Sequence, residues 1–422
     1  MRSPALAPRT RVGGKGRRRV LLVTSLKWLS TTRLALALHD AGFAVEAVCP
    51  ARHSLTCVSF VDRIHRLNPL AAQASLAAAI EAAAPDLIIP CDDRIAHQLH
   101  LLYARSDPDR PMGLQIRTLL TRSLAAPAAF PLLHTRAHIM ALAEEEALRR
   151  PDTAATPDRE ALAAWLDSHA LPAVLKTDGS WGGMGVAVVK DRAEAMKAFR
   201  RLNAPPSPVR ALKRLMMNAD AAPIRDCLAR RRPAISIQAF VPGRLGNAAV
   251  ACLDGKVLAA VYVQVERSDG PTGPATVVQV IEHPEMARAV AAMVARLGLS
   301  GLCGFDFVLD PETGAADLLE INPRATPTCH LVSADGRDLM SALMYGLDPN
   351  AGEPPPPRPA PGLVALFPQE MVRDPDSGFL ESAHHDVPWQ SVELVELGLD
   401  KVRGGGRKVN AAVRRFYSQQ RA

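Results

Sequence analysis

The sequence predicts an α/β N-terminal domain built on a parallel sheet, over residues 20–120, followed by a larger α+β region. Three observations carry this. A β-loop-α-β order opens the chain, a glycine-rich turn joins two strands between Lys176 and Val186, and two apolar strands bearing acidic residues pair around Asp306 and Glu320. Length agrees. A chain of 422 residues exceeds one simple core, and 48% hydrophobic with 22% charged residues suffices for real cores.

The elements follow in order. Residues 19–24 form a short apolar β-prone run. Thr31 and Thr32 precede Leu34, Leu36 and Leu38 in a helical stretch that ends near Gly42, and residues 43–48 form a second strand. That order argues for parallel pairing. Residues 70–84 read as an alanine-rich helix and 85–90 as a buried strand, followed by Cys91-Asp92-Asp93, a conceivable substrate contact at the strand's carboxyl end, and a helix over 94–104. Further helices are predicted at 136–149, 192–202 and 284–297, and strands at 172–176, 186–189, 235–241, 248–253, 256–265, 303–309 and 316–321. The proline-rich, basic stretch 203–233 reads as an insertion or linker, and 267–276 as a loop that could border an acceptor site. Pro354-Pro355-Pro356-Pro357 marks a boundary before a C-terminal extension, 351–422.

The net charge of +7 is concentrated at the ends. Residues 1–19 and 401–422 each hold seven cations and no acid, so the stretch 20–400 carries −7. The first segment reads as a basic flexible leader. At 4% aromatic residues the chain lacks the stacking platform of a single-strand binder, which disfavours nucleic acid as a partner. Seven cysteines without CxxC spacing suit reduced thiols and a cytoplasmic location. No apolar run has transmembrane length, so no membrane partner is expected.

Two clusters carry chemistry. In Lys176-Thr177-Asp178-Gly179-Ser180-Trp181-Gly182-Gly183-Met184-Gly185-Val186 a lysine ends a strand, and a turn with four glycines leads into the next. Glycines let backbone N–H groups close over phosphates, and the lysine adds a point charge. The connection runs strand to strand, so it is not a P-loop; a plain β-turn is the alternative. In the second cluster Glu320 and Asn322 share one face of their strand by period-two alternation, and Asp306 faces them from its partner strand. Three oxygen donors on one sheet face suit Mg²⁺. Arg324, just past the strand, is placed to meet a transferring phosphoryl group. Solvated strand residues are the alternative here, against an apolar context of Phe305, Phe307, Leu319 and Ile321.

Lysine with its glycine-rich hairpin, then Ser236-Ile237-Gln238-Ala239-Phe240-Val241-Pro242-Gly243, then Gly304-Phe305-Asp306-Phe307 and Leu319-Glu320-Ile321-Asn322-Pro323-Arg324 resembles the ATP-grasp superfamily, in its carbamoyl-phosphate synthetase and biotin carboxylase style. The resemblance covers residues 120–350 and implies a two-lobed ATP-grasp domain, with lobes of about 121–235 and 236–350, behind the α/β domain. It implies ATP and Mg²⁺ (or Mn²⁺) as cofactors. Arg136 and Lys176 would bind phosphates, with Lys176 and Arg324 acting in catalysis. Gly182, Gly183 and Gly185 would cover the triphosphate, and Gln238, Ala239, Phe240 and Val241 would surround adenine. Asn247 would contact ribose or substrate, and Asp306, Glu320 and Asn322 would hold the metal. The activity implied is a ligase that activates a small carboxylate for attack by an amine or similar nucleophile, with those two molecules as partners and a homodimer left open. An ATP-binding regulatory or scaffold protein and a kinase are the alternatives. The chain departs from the family at Ala239 and Leu245, where glutamates are usual. It departs again at Pro327, where carbamoyl-phosphate synthetases carry a second arginine, and this argues against bicarbonate as substrate. His384-His385-Asp386 reads as a surface loop, and Ser30-Thr31-Thr32 as a helix cap.

Overall fold

The computed structural model describes residues 17–178, 185–205, 208, 232–270, 273–348, 350 and 355–404, which build three sheets. Strands β1 (Arg19–Val23), β2 (Ala44–Cys49), β3 (Arg63–Arg66) and β4 (Leu87–Pro90) pair in parallel in the order β3-β2-β1-β4. Helices α1 (Leu29–Asp40), α2 (Ala72–Ala83), α3 (Asp93–Arg105) and α4 (Pro111–Ser123) pack around them. β1 is buried on both faces, Leu21 and Val23 in one core and Val20 and Leu22 in another. That is why it reads as an unbroken apolar run rather than an alternation. β3, Arg-Ile-His-Arg, is an edge strand with exposed arginines and gives no such signal.

A second, antiparallel sheet runs β5-β8-β6-β7, from β5 (Thr153–Ala155), β6 (Ala173–Thr177), β7 (Val186–Val189) and β8 (Ile235–Ala239). Helix α5 (Arg136–Glu145) leads into it. Helices α6 (Arg159–Ser168) and α7 (Arg192–Leu202) cover one face, over a core that includes Leu162, Trp165, Leu175, Phe199 and Ile237. β8 alternates as a one-sided strand should: Ile235 and Ile237 enter that core, while Ser236 and Gln238 share the opposite face with Lys176.

The third sheet has seven strands, in the order β13-β12-β9-β10-β11-β14-β15. They are β9 (Arg244–Leu253), β10 (Lys256–Ser268), β11 (Ala275–Ile281), β12 (Gly301–Leu309), β13 (Ala316–Asn322), β14 (Leu363–Leu366) and β15 (His384–Asp386). Helix α8 (Pro284–Leu297) supplies Met286, Val290 and Met293 to the core that holds Phe305 and Phe307. Its start and stop are both written in the sequence. The His283 side chain caps the first turn, and Gly298, at φ 57°, ends it where a Cβ would also meet Ala126 at 2.9 Å. On the other face, helix α9 (Leu339–Leu347) packs with α1 and β1 of the first domain.

Two expectations give way. The loop expected over 267–276 is shorter than that, because β10 runs on to Ser268 and β11 already begins at Ala275. His384-His385-Asp386 is not a surface loop but edge strand β15, parallel to β14, and Asp386 is buried. The segment after the proline run thus contributes two strands to the third sheet, with helices α10 (Gln369–Arg373) and α11 (Phe379–Ser382) between them and α12 (Val392–Arg403) after them. The stretch 203–233 lies largely outside the described residues, as do most residues of both basic ends.

Candidate active site

The register of the third sheet assembles one row of polar residues. Asn247 on β9 faces Asp306 on β12, and Asp306 faces Glu320 on β13. The pairing jumps from Phe307↔Leu318 to Asp306↔Glu320, leaving Leu319 as the extra residue of a β-bulge. The bulge resets the alternation. Leu318 therefore faces the core with Phe307, while Glu320, two residues on, faces the site with Asp306. Asn322 follows on the site face, opposite Gly304. A Cβ at Gly304 would stand 2.2 Å from Thr326 Cγ2, so the glycine lets the chain after Arg324 lie against the sheet.

Hydrogen bonds lock the row. Asp306 Oδ1 accepts from Asn247 Nδ2 at 2.5 Å, and Oδ2 accepts from Asn322 Nδ2 at 3.1 Å. Arg324 donates from Nη2 to Asn322 Oδ1 at 3.0 Å and from Nε to Asp93 Oδ1 at 2.9 Å. Its guanidinium carbon lies 6.0 Å from the centre of the Trp28 ring. Arg136, the first residue of α5, donates to Asp178 Oδ1 at 3.2 Å and to Glu320 Oε2 at 2.5 Å, bridging the second and third sheets. Lys176 donates to Gln238 Oε1 at 2.7 Å, and Gln238 Nε2 donates to Thr153 Oγ1 at 3.0 Å.

Burial and neighbouring charge set the ionisation of these groups. Burial, with Arg136 alongside, lowers Lys176 to about 8. Burial and the Glu320 charge raise Asp306 to about 6. Burial would push Glu320 the same way, but Arg136, Lys176 and Arg324 outweigh it and hold it below its ordinary value. For Asp178 burial wins over Arg136, and its pKa rises. Burial opposes the charges of Arg136 and Arg324 too, yet their carboxylate partners hold both guanidinium groups above the usual value.

The structure brings Arg136, Lys176, Gln238, Asn247, Asp306, Glu320, Asn322 and Arg324 into this one connected region. Gly185 closes the β6–β7 hairpin through its carbonyl, which accepts from Thr177 N at 2.9 Å, whereas Gly182 and Gly183 lie outside the described residues. The amides of Ala239 and Phe240 are engaged by the Asp152 and Pro172 carbonyls, at 2.8 and 3.3 Å. Sequence reasoning missed Asp178 and Ser236, although both sit inside the quoted motifs. It named Asp93 only as a conceivable substrate contact. Trp28 carried no signal. The cap expected at Ser30-Thr31-Thr32 is absent: the N-cap position of α1 is Trp28, and no side chain caps it. Among the described residues no group of three or more His, Cys, Asp and Glu side chains gathers at a metal-binding spacing, so the metal candidates are two carboxylates and an amide.

Comparison with solved structures gives the arrangement a name. The chain is similar to the biotin carboxylase domain of the Hydrogenobacter thermophilus 2-oxoglutarate carboxylase in complex with MgADP, ADP and bicarbonate, at 12% identity over 82% of this chain and 73% of that one, TM-score 0.55. It is similar to N5-carboxyaminoimidazole synthetase from Staphylococcus aureus complexed with ADP, at 11% identity over 78% and 77%, TM-score 0.55. The chain has the ATP-grasp fold. Biotin carboxylase from Campylobacter jejuni is a further match, at 13% identity, 80% and 72% coverage and TM-score 0.53. No protein-family model matches the chain, nor does any curated protein. The second and third sheets of the ATP-grasp fold meet here at the Arg136 bridge, with the first domain reaching in through Asp93.

Proposed function

We propose that the chain is an ATP-dependent ligase that activates a small carboxylic acid as an acyl phosphate. One observation carries the reading: Lys176 and Arg136 on one side converge with Asp306, Glu320, Asn322 and Arg324 on the other. The acid's carboxylate oxygen attacks the γ-phosphorus and the bond to the β-phosphate oxygen breaks, giving ADP. An amine or similar nucleophile then attacks the acyl carbon, phosphate leaves, and the nucleophile's proton passes to solvent.

The residues fit these ligands on their own evidence. Among the described residues Arg136 Nε and Ser236 Oγ are buried without a partner, and Lys176 is held only by a neutral amide. Each is a donor that phosphate oxygens would satisfy. Among the described residues three cations here (Lys176, Arg136, Arg324) face four carboxylates (Asp93, Asp178, Asp306, Glu320), a surplus of one negative charge that repels a triphosphate. A divalent cation reverses that sign. Asp306, Glu320 and Asn322 would hold Mg²⁺, which when bound supplies charge neutralisation at the phosphates. Arg324, clamped between Asp93 and Asn322, would meet the phosphoryl group in flight without reorganising. Among the described residues no backbone partner engages the Val241 amide, which leaves that hinge residue to offer it to adenine.

The test is ADP release from Mg-ATP across a panel of carboxylic acids, with hydroxylamine to trap the acyl phosphate as a hydroxamate. Acid-dependent ADP with trapped hydroxamate is expected, and Glu320→Ala should lower both by at least about a hundred-fold. Undiminished turnover in that variant would refute the site. ATP binding without ADP under any acid would favour the binding-protein reading, which the missing carboxylates at Ala239 and Leu245 support.

A further inference from the structure

A second polar cavity lies where three distant parts of the chain meet. Arg33 on α1 ion-pairs through Nη2 with Asp386 Oδ1 on β15, and His330, in the loop that follows Arg324, holds Asp386 Oδ2 at 2.7 Å. The side chains of Arg33, His330 and Asp386 are 16%, 10% and 9% exposed. Both oxygens of Asp386 are thereby committed. Two buried polar atoms beside them have no partner among the described residues: Arg33 Nη1, a donor, and Gln369 Oε1, an acceptor. Both residues line a cavity of about 20 Å³, walled by Pro327, Leu366, Phe367 and Leu394.

Buried donors and acceptors left unpaired cost about 1–3 kcal/mol each, so the cavity calls for a guest. Its size admits one water-sized group and not a whole molecule. Its charge is already balanced, because Asp386 neutralises Arg33. An anionic guest would arrive uncompensated, and a cationic one would face Arg33 Nη1. The complement is a neutral group with one acceptor and one donor. Position links the cavity to the chemistry. Its lining residue Ser30 follows two residues after Trp28, which stands beside Arg324, and Pro327 follows three residues after Arg324 itself.

Resting on the ligase reading above, we propose that this cavity is the specificity subsite for the far end of the acid, taking a hydroxyl. The activated carboxylate then lies toward Arg324, with its aliphatic stem against Pro327 and the apolar wall. The C-terminal segment, which supplies Asp386, Gln369 and Leu394, thus serves substrate selection.

The experiment uses the full chain and acids matched in length that end in carboxamide, hydroxyl, methyl or carboxylate. Direct binding by calorimetry without nucleotide is measured beside ADP formation. The hydroxyl acid should bind roughly ten- to hundred-fold more tightly than the methyl acid, which makes neither hydrogen bond, and the bulkier carboxamide acid should gain no such advantage. Gln369→Leu should bring that preference below about three-fold while leaving the methyl acid's binding unchanged. Arg33→Lys, which keeps the charge beside Asp386, should also lose it, and circular dichroism of each variant establishes that it is folded. A preference for the carboxylate-ended acid, a preference that survives Gln369→Leu, or no discrimination at all would overturn the proposal, the last leaving a cavity that holds only water. Selective binding with no ADP would sink the ligase reading and keep the subsite. ADP formation indifferent to Gln369 would do the reverse.

Discussion

Asp93 lies in the first domain, yet among the described residues its salt bridge is with Arg324 of the third sheet, and its neutralisation separates positioning from mere folding. Asp93→Asn keeps the shape and one acceptor oxygen for Arg324 Nε, now 2.9 Å away. What is lost is the difference between a charged and a neutral hydrogen bond, about 1–1.5 kcal/mol. Asp93 is 26% exposed, which puts the effect at the lower end, near 1 kcal/mol. Arg324 keeps Asn322 Oδ1 and the Ala325 carbonyl, so it is loosened rather than released. If that guanidinium must be aimed at the phosphoryl group, kcat should fall about five-fold while KM for ATP holds. Asp93 is also the one acid in the first turn of α3, so stability should fall by a further 0.3–1 kcal/mol or about that. Steady-state ADP formation reads the first effect and urea unfolding the second. A stability loss of that size with kcat within two-fold of the parent would refute the argument that the first domain aims Arg324.

Two other perturbations follow from the structure. His53 is fully buried, accepts from Leu55 N through Nδ1 and faces the Leu26 carbonyl through Nε2, so its geometry demands the neutral ring, and burial lowers its pKa to about 4. The unfolded chain takes up this proton near 6.5 and the folded one near 4, so stability is full above about 6.5 and falls with pH between the two, by about 1.4 kcal/mol per unit for this residue; His53→Asn should flatten urea-measured stability over that window, and an unchanged slope would count against it. Gly304→Ala should lower the melting temperature and kcat together by driving a methyl into Thr326, and adding Thr326→Ser, which removes Cγ2 and leaves the nearest atoms at 3.4 and 3.5 Å, should restore both; failure of the rescue would mean another contact decides.

Much of this was legible in the sequence where one local signal decided it. β1 and β4 announced themselves by unbroken apolar runs, and α8 runs over the expected stretch from Pro284 to Leu297. The Glu320 and Asn322 pairing followed from strand alternation. The bulge at Leu319 did not, because an inserted residue leaves no mark in a run of Leu-Leu-Glu-Ile that alternates acceptably either way. Had β13 paired without it, Glu320 would have shared a face with Leu318 and lain in the apolar core. The acids looked misplaced among phenylalanines for this reason: one residue decides which side of the sheet they reach.

Residues joined over long distances in the chain could not be read at all, and they share a physical logic. Arg324 of the third sheet is held by Asp93 of the first domain, Arg33 of the first domain by Asp386 of the third sheet, and Arg136 by Asp178 of the second and Glu320 of the third. Each cation is thus anchored by a carboxylate from another layer, and no window of sequence contains both partners. Arg136 differs from the other two because its carboxylates lie on opposite sides of the cleft. Separating the second and third sheets strands a buried guanidinium from one of them, which is costly. Phosphate oxygens that engage its free Nε add a third anion without needing the other two to leave. Arg136 would therefore hold the two sheets together before nucleotide binds and more firmly after it, so that ATP closes a cleft whose geometry is already set.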